Sequence, residues 1–352
     1  MVDEHFSPAP PAALSDRQQA ILRLIVQEYV ATGRAVGSKL LTERHHVGYS
    51  PATIRHEMAD LETAGYVQHL HTSAGRVPTD RGYRYFVHHL LGDVELPFSD
   101  QVMIRHQFRQ VEMQLEQWME LAAAVLAEAA GTVSVVTAPR PVVPRLRHFE
   151  LIALQPHLGL LILVTADSAV RQVMVRWPEE VDQELLSRLA DTLVAEVRGL
   201  SADEVAAHAD HASGLAHFVL DQLTVALHAL DAAERTEVRH SGIENILAQP
   251  EFSGGIVEAQ ALLALLRGGS LLGALLPQME AGPDVQVFIG DENPADELRR
   301  FGVVVSTYGI GGEVTGVLGV LGPTRMAYGR SISSVRYMAR LMSDLMLDLY
   351  SA

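Results

Sequence analysis

The chain has 352 residues, 48% of them hydrophobic and 20% charged, which suffices for two or three globular domains with separate cores. It contains no cysteine, so disulfides and thiolate metal sites are excluded. The net charge of −16 lies outside residues 1–92, which hold nine basic and nine acidic residues, and because acidic surface repels phosphate, a nucleic-acid surface is expected only in that first quarter.

The amino-terminal tail, residues 1–14, carries acids and prolines instead of the basic and apolar regions of a secretory signal. Purely apolar runs such as Leu160–Val164 are far too short to span a bilayer. We therefore expect a cytoplasmic protein that has no membrane partner.

Two helices are predicted at the start of a module that covers residues 15–92. Ser15 and Gln18 form a capping-box pattern ahead of an apolar stripe that ends near Gly33. After a turn, Ser38–His45 predicts a short second helix, which carries the single lysine of the chain, Lys39.

A third helix is predicted to begin at Ser50, which can act as the N-cap, with Pro51 in the first turn. Gly65 is expected to end it. Its apolar stripe consists of Ile54, Met58 and Leu61. The opposite face carries mostly small residues, as suits a helix that enters a groove: Ala52, His56, Ala59 and Thr63, flanked by Thr53 and Arg55.

A β-hairpin follows this helix. Tyr66–Leu70 and Arg76–Pro78 predict two short strands joined by a turn at His71–Gly75, and Thr79 is expected to cap a further helix. Three helices followed by such a hairpin predict a winged helix-turn-helix, whose third helix reads the major groove of DNA. A winged helix that binds protein instead is the alternative.

Six residues of this module are candidate DNA contacts. Arg55 and His56 lie near the start of the third helix and are expected at base edges, because arginine bonded to guanine is the commonest specific contact. Arg76, in the wing, is expected along the backbone or minor groove, whereas Arg81 and Arg84 are expected to support the wing or form ion pairs. Phosphate contacts, which carry no sequence information, are expected from Lys39, Ser50 and Thr53.

Beyond a predicted linker at residues 93–99, the chain alternates between helical and β-type segments. A long helix is predicted from Asp100 to Ala130, with a near-heptad seam that would either coil against a partner helix or pack on its own domain. The next segments predict strands, whose short connections favour an antiparallel meander: Thr132–Thr137, Phe149–Leu154, Leu158–Thr165 and Val170–Arg176.

The remaining elements follow a similar order. Helices are predicted at 182–199, within 201–239 and at 256–267, with an irregular segment between the last two. Strands then follow at 285–289, 303–308 and 314–321, the last two joined by a hairpin turn at Gly309–Gly312, and a final helix is predicted at 331–350. This order suggests one α+β sensor-like domain interrupted by an inserted subdomain within 145–255. Whether the 149–176 meander belongs to the host sheet or to the insert is open.

The sequence carries no recognisable catalytic or metal-binding motif. The scattered histidines lack a ligand geometry, and the HExxH pattern begun by His56 fails because its closing position is Asp60. Gly309–Gly312 is followed by a strand, so it is no dinucleotide fingerprint. We expect no enzyme activity, no cofactor and no metal.

The stretch Ser50–Phe86, SPATIRHEMADLETAGYVQHLHTSAGRVPTDRGYRYF, resembles the hallmark of the HrcA-type heat-inducible transcription repressors of bacteria. Leu14–Ser38 is similar to the first helix and turn of that family. Further similar stretches follow in the same order, and they extend the resemblance over nearly the whole chain: Asn245–Phe252, Val285–Leu298 and Gly316–Ser333.

The resemblance implies a winged helix at 15–92, a GAF-like domain at 100–145 and 256–352, and an inserted dimerisation domain at 146–255. It also implies a homodimer on an inverted-repeat operator upstream of chaperone operons, with the chaperonin maintaining the active repressor until heat stress. Relatives usually carry asparagine where this chain has His56. Because imidazole cannot bond an adenine edge bidentately, either His56 contacts phosphate or the operator preference is altered.

Two other regulators remain as alternatives to a heat-controlled repressor. The first is a winged helix controlled by a small molecule bound in the GAF-like domain, which requires a pocket with convergent polar groups. The second is a metal-responsive regulator, which requires bound metal in the purified protein.

Overall fold

The computed structural model describes residues 14–45, 48–69, 75–111, 114–141, 143–166, 169–231, 238–249, 284–293, 295–310 and 314–351. The predicted tail up to residue 13, the turn at 71–74, the helix at 256–267 and part of the hairpin turn at 309–312 lie outside these residues. Helices and strands both contribute throughout the described chain, which is of the α+β class.

Three helices open the fold: α1 (Asp16–Thr32), α2 (Ser38–His45) and α3 (Pro51–Thr63). The predicted capping box of α1 is confirmed, since the Ser15 hydroxyl accepts from the Gln18 N–H, and Gly33 ends the helix with a left-handed φ of 67°. Gly65 does the same for α3, with φ 78°. Local chemistry therefore sets the ends of both helices.

A two-stranded sheet and a further helix complete the amino-terminal module. Strands β1 (Val67–His69) and β2 (Arg76–Pro78) pair antiparallel, and α4 (Asp80–Tyr85) continues into a π-helical turn at Phe86–Leu90. A bridge between Val36 and Arg76 ties the segment ahead of α2 to β2. The hairpin is thereby anchored on both sides, to α3 by the chain and to the α1–α2 connection by hydrogen bonds.

The long helix predicted from Asp100 to Ala130 is interrupted. The structure has α5 (Phe98–Gln110) and α6 (Leu115–Ala130), because Val111 and Gln114 adopt extended backbone between them. Phe108 of α5 and Trp118 and Leu126 of α6 are buried in the core of this chain. Of the two interpretations of the apolar seam, packing on its own domain is the one observed.

Within the described residues, the central sheet has six antiparallel strands. Their spatial order is β8 (Val238–Ser241), β3 (Val133–Thr137), β11 (Val314–Pro323), β10 (Phe301–Ile310) and β9 (Gln286–Ile289), with β4 (Arg140–Pro141) paired to β11. The predicted hairpin is β10–β11, with Ile310 opposite Val314. Helix α11 (Tyr328–Ser351) packs with α6 on one face, while α10 (Ile243–Leu247) covers the other.

The predicted meander forms a second sheet, separate from the first. Its strands are β5 (Leu146–Gln155), β6 (Leu158–Thr165) and β7 (Val170–Arg176), paired antiparallel in that order. Its buried face packs against α7 (Gln183–Val197), α8 (Ala202–Ala209) and α9 (Gly214–Asp231), which form a core of their own around Phe149 and Leu220. Of the two placements left open for the meander, the host sheet is therefore excluded.

Two segments lie differently from the prediction. Within the predicted linker, residues 93–99, Leu96 is buried and the Val94 carbonyl accepts from Arg336 of α11, while Phe98 and Ser99 already belong to α5. Residues 238–249 belong to the central sheet rather than to the insert, because β8 pairs with β3 and the Asn245 amide donates to the Ala127 carbonyl of α6.

Candidate nucleic-acid interface

Helix α3 presents one buried and one exposed face. Ile54, Met58 and Leu61 are at most 1% exposed and fix the helix against the module core. At its start the Ser50 hydroxyl accepts from the Thr53 N–H at 3.1 Å and also bonds the Thr53 hydroxyl. The cap and the apolar stripe together determine which side chains face solvent.

Arg55 and His56 lie side by side on the exposed face, near the helix start. The His56 side chain is 78% exposed, and its Nε2 lies 3.8 Å from the Asp60 carboxylate one turn on. Ala52 and Thr63 are exposed along the same helix. This face therefore offers a guanidinium and an imidazole among small residues, with room for a close approach to another surface.

Two further predicted residues border the same helix start. Ser50 is exposed and Thr53 half-buried, and the N–H groups of the first turn of α3 lie beside them. Lys39 lies on α2 with a side chain that is 83% exposed, 3.7 Å from the Glu43 carboxylate. Hydroxyls, a helix N-terminus and an ammonium group are the donors that usually bind phosphate oxygens.

Arg76 is the exception among the six predicted residues. Its side chain is 10% exposed, and its guanidinium donates to the Glu62 carboxylate at 3.0 and 3.2 Å. His69 bonds the other oxygen of Glu62. The expectation that Arg76 lies along DNA does not fit this placement, because the guanidinium is engaged in joining β2 to the end of α3.

Glu62 is held in the charged form by this cluster. Burial alone raises its pKa, but the hydrogen bonds from His69 and Arg76, together with the Arg76 charge, outweigh burial, so the pKa lies below its ordinary value. The hairpin is thus attached to α3 by a charge-assisted contact.

Arg81 and Arg84 are also engaged, as predicted. Arg81 lies over the Tyr66 ring, 4.7 Å from its centroid, and Arg84 forms an ion pair with Glu292. They support the module and its neighbourhood rather than its exposed α3 face.

Sequence reasoning missed two residues beside the start of α3. Arg17, in the first turn of α1, pairs with Glu57 of α3 at 2.8 Å and lies over the Tyr49 ring, 5.5 Å from its centroid. Tyr49 is 39% exposed directly ahead of the Ser50 cap. No local pattern predicts this contact, because 32 residues separate Arg17 from Tyr49.

Within the described ranges, no three His, Asp or Glu side chains are grouped so that they could hold a metal ion. Over the same ranges, no helix combines the length and apolar character needed to cross a membrane.

Comparison with known proteins gives a consistent result. A family model described as "HrcA protein C terminal domain" matches residues 116–332. The chain is 46% identical over 336 residues to the heat-inducible transcription repressor HrcA of Thermomicrobium roseum, covering 96% of each chain. It is 44% identical over 345 residues to the protein of that name from Roseiflexus castenholzii, again covering 96% of each.

A solved structure supports the overall fold. The crystal structure of a hypothetical protein at 2.2 Å resolution superposes with a TM-score of 0.56 at 22% identity, covering 96% of this chain and 99% of the other. At this identity the likeness concerns the fold alone.

Proposed function

Because this chain belongs to the HrcA family of heat-inducible transcription repressors, we propose that it represses heat-shock chaperone operons by binding operator DNA through its amino-terminal module. The relatives are repressors, a non-enzymatic role, and we propose no catalytic activity and no cofactor for this chain. Its place of action is the cytoplasm, where bacterial DNA lies.

The order of elements supports a winged helix at residues 15–92: three helices, an antiparallel hairpin and a fourth helix. The observation that carries the proposal is the exposed face of α3. Arg55 and His56 point away from a helix whose opposite side is sealed in the core, which leaves them free to reach base edges in a major groove. Ser50, Thr53 and Lys39 are the proposed phosphate contacts.

We propose that the remainder comprises a GAF-like domain and an inserted dimerisation domain. The GAF-like domain takes the six-stranded sheet with α6 and α11, and the insert runs from residue 146 to about residue 231, since β8 at 238–241 pairs with the central sheet. A dimer supplies what a single small module lacks, because two reading helices on one duplex bury enough surface for operator-level affinity.

The outward face of the meander supports self-association. On β6, Leu161 and Leu163 are buried, whereas Leu160 and Ile162 point to the other side and are half-exposed. Leu160 lies opposite Met174 of β7, which is 57% exposed. Two further exposed apolar residues, Leu154 and Val170, lie on the outer strands. A sheet face of this composition is expected to be covered by a partner, and in a homodimer the partner is a second copy.

The ligand-sensing alternative is not favoured, because the relatives are named as heat-inducible repressors. We retain the chaperonin as a proposed partner on the resemblance to the family. In this scheme, heat occupies the chaperonin with other proteins, the repressor loses its dimer geometry, and the operator is released.

DNA footprinting tests the proposal. The promoter region upstream of a chaperone operon is treated with the purified full chain, with and without chaperonin, over a temperature ramp. We expect protection of an inverted repeat that is lost on warming and extended to higher temperature by chaperonin. A scrambled duplex of equal length and an inert protein in place of chaperonin are the controls. Equal protection of both duplexes would contradict operator recognition.

A further inference from the structure

The amino-terminal module is not attached as a separate body. Its buried residues and those of the central sheet form one continuous hydrophobic cluster. At the junction the rings of Tyr83 and Tyr328 lie 5.7 Å apart, centroid to centroid, and both are at most 2% exposed. At this junction the apolar surface of the module is therefore covered by the domain that contains the central sheet.

Polar contacts from α4 secure the same junction. Arg84 donates to the Val287 carbonyl of β9 at 2.7 Å and forms an ion pair with Glu292 in the turn that follows β9. Asp80, one helical turn earlier, accepts from the Asp291 N–H at 3.3 Å. Residues 80 and 84 are neighbours on one helix face, so this face is fastened to a single turn of the sheet domain.

The turn itself is shaped for this approach. Gly290 has φ +55°, and a Cβ added there would overlap the Asp80 carboxylate. Glycine adopts this backbone conformation without strain and leaves room for the Asp80 carboxylate in its observed position. The contact is thus built from both sides, by the α4 side chains and by the turn.

A second attachment lies at the end of α1. Arg325, after β11, donates to the Val30 carbonyl at 2.8 Å, where a cation is favoured by the carboxyl end of the helix. Attachments at α4 and at α1 restrict rotation of the module about either one alone.

We infer that these contacts form a clamp, defined as Asp80 and Arg84 with Gly290–Glu292, which sets the orientation of α3 relative to the rest of the protomer and thereby the half-site spacing that the dimer accepts. This inference rests on the proposed function. One inserted base pair moves a half-site by about 3.4 Å and rotates it by about 35°. A clamped module follows such a displacement only by straining or breaking contacts, whereas a loosely tethered module adapts to several spacings at lower affinity.

Two kinds of measurement test the clamp. The clamp variants are Arg84→Gln with Glu292→Gln, and separately Gly290→Ala. The matched control is Glu297→Gln, an exposed glutamate in the next helical turn of the same segment. All variants are made in the full chain. Circular dichroism identifies a clamp variant that fails to fold, and the other clamp variant is then used in its place.

The first measurement is affinity against spacing. The footprinted inverted repeat is made with its natural spacer and with spacers changed by one to four base pairs. For the wild type and Glu297→Gln we expect a single optimum, with affinity at least about tenfold lower two base pairs away. For the clamp variants we expect lower affinity at the optimum and differences within about threefold across spacers. Equally sharp profiles for clamp variants and wild type would overturn the inference.

The second measurement needs no DNA. Because the chain has no cysteine, Gln27→Cys on α1 and Asp344→Cys on α11 provide two exposed sites for spin labels. Labelled protein is diluted into unlabelled protein, so that pulsed EPR reports the distance within one protomer. We expect a narrow distribution in the wild type and the control and a broad one in the clamp variants. Unchanged widths would overturn the clamp.

The two measurements separate the inference from its premise. If the wild type binds no inverted repeat, the proposed function fails and the spacing role fails with it, even where the EPR widths differ. Where operators are bound and the EPR distance distributions of wild type and clamp variants differ in width, their affinity profiles against spacer length can still coincide. In that case only the inference is wrong.

Discussion

At the residue scale, two arginines of the same module have opposite surroundings. Arg55 extends from α3 into solvent, whereas the Arg76 guanidinium is buried against Glu62. Both satisfy the same compositional expectation of a basic DNA-binding surface, but only a guanidinium with free donors can bond a base edge. The proposed specificity therefore depends on Arg55.

We expect Arg55→Ala to weaken binding to the footprinted operator by about 1–3 kcal/mol and to affect random duplex much less, because a lost base contact removes sequence preference. Lys39→Ala is the comparison, since loss of a phosphate contact weakens both duplexes alike. Fluorescence anisotropy at one fixed salt concentration measures the affinities of the wild type and both variants for both duplexes. If Arg55→Ala weakened binding to both duplexes equally, Arg55 would be assigned a contact with phosphate instead of a base.

A second residue-scale feature is Glu28, a carboxylate buried in α1. Arg44 and His45 of α2 each bond it at 2.8 Å. Burial by itself raises the Glu28 pKa, but these hydrogen bonds and the Arg44 charge outweigh it, and the pKa lies below its ordinary value of 4.5. Since the folded pKa is the lower one, the stabilisation is complete above pH 4.5 and is lost as the pH falls through the folded value.

We therefore expect the wild type to lose more unfolding free energy on acidification below pH 4.5 than Glu28→Gln does, because glutamine does not titrate. At neutral pH the substitution should itself destabilise by an amount on the order of 1–3 kcal/mol, the magnitude for a disrupted buried polar contact. Urea unfolding at both pH values measures this. Glu43→Gln on the surface of α2 is the control, and equal acid sensitivity of Glu28→Gln and wild type would exclude this role.

At the element scale, the meander has two chemically different faces. One is sealed by α7–α9, and the other exposes Met174, Val170 and Leu154. A sheet with one buried face normally presents mostly polar residues on the other, so these exposed apolar side chains support the proposed dimer interface.

We expect Met174→Lys to shift the protein from dimer to monomer, because a charge in the middle of the proposed apolar interface would have to be desolvated. Light scattering at several protein concentrations measures the mass. Operator affinity should fall with the dimer, while circular dichroism stays unchanged. Arg188→Ala, on the exposed side of α7, is the control. An unchanged mass for Met174→Lys would remove this face from the dimer interface.

At the scale of the whole molecule, the described residues form two large separate cores. The amino-terminal module and one face of the central sheet share the first, and the insert holds the second, with Phe149 fully buried in it. Each core is expected to unfold as a cooperative unit. We expect the unit that unfolds at the lower temperature to be the one whose opening ends repression.

Calorimetry should accordingly resolve two transitions. Phe149→Ala is expected to cost about 3–5 kcal/mol and to lower only the transition of the insert, whereas Leu126→Ala, at about 2–5 kcal/mol, lowers only the other. A single transition lowered by both substitutions would indicate one cooperative unit. Cleavage by protease near each midpoint identifies which part has opened.

The sequence by itself determined what depends on neighbouring residues: the caps at Ser15 and Ser50, the buried stripe of α3 with Arg55 and His56 opposite it, and the strands of the meander. Tertiary structure alone decided the burial of Arg76 by Glu62, the break near Val111, the pairing of β8 with the central sheet, and the contact between Asp80 and Asp291. Capping and periodicity act within a few residues, so they are legible locally. Pairing between distant segments depends on which surfaces meet after folding, and no local pattern encodes that.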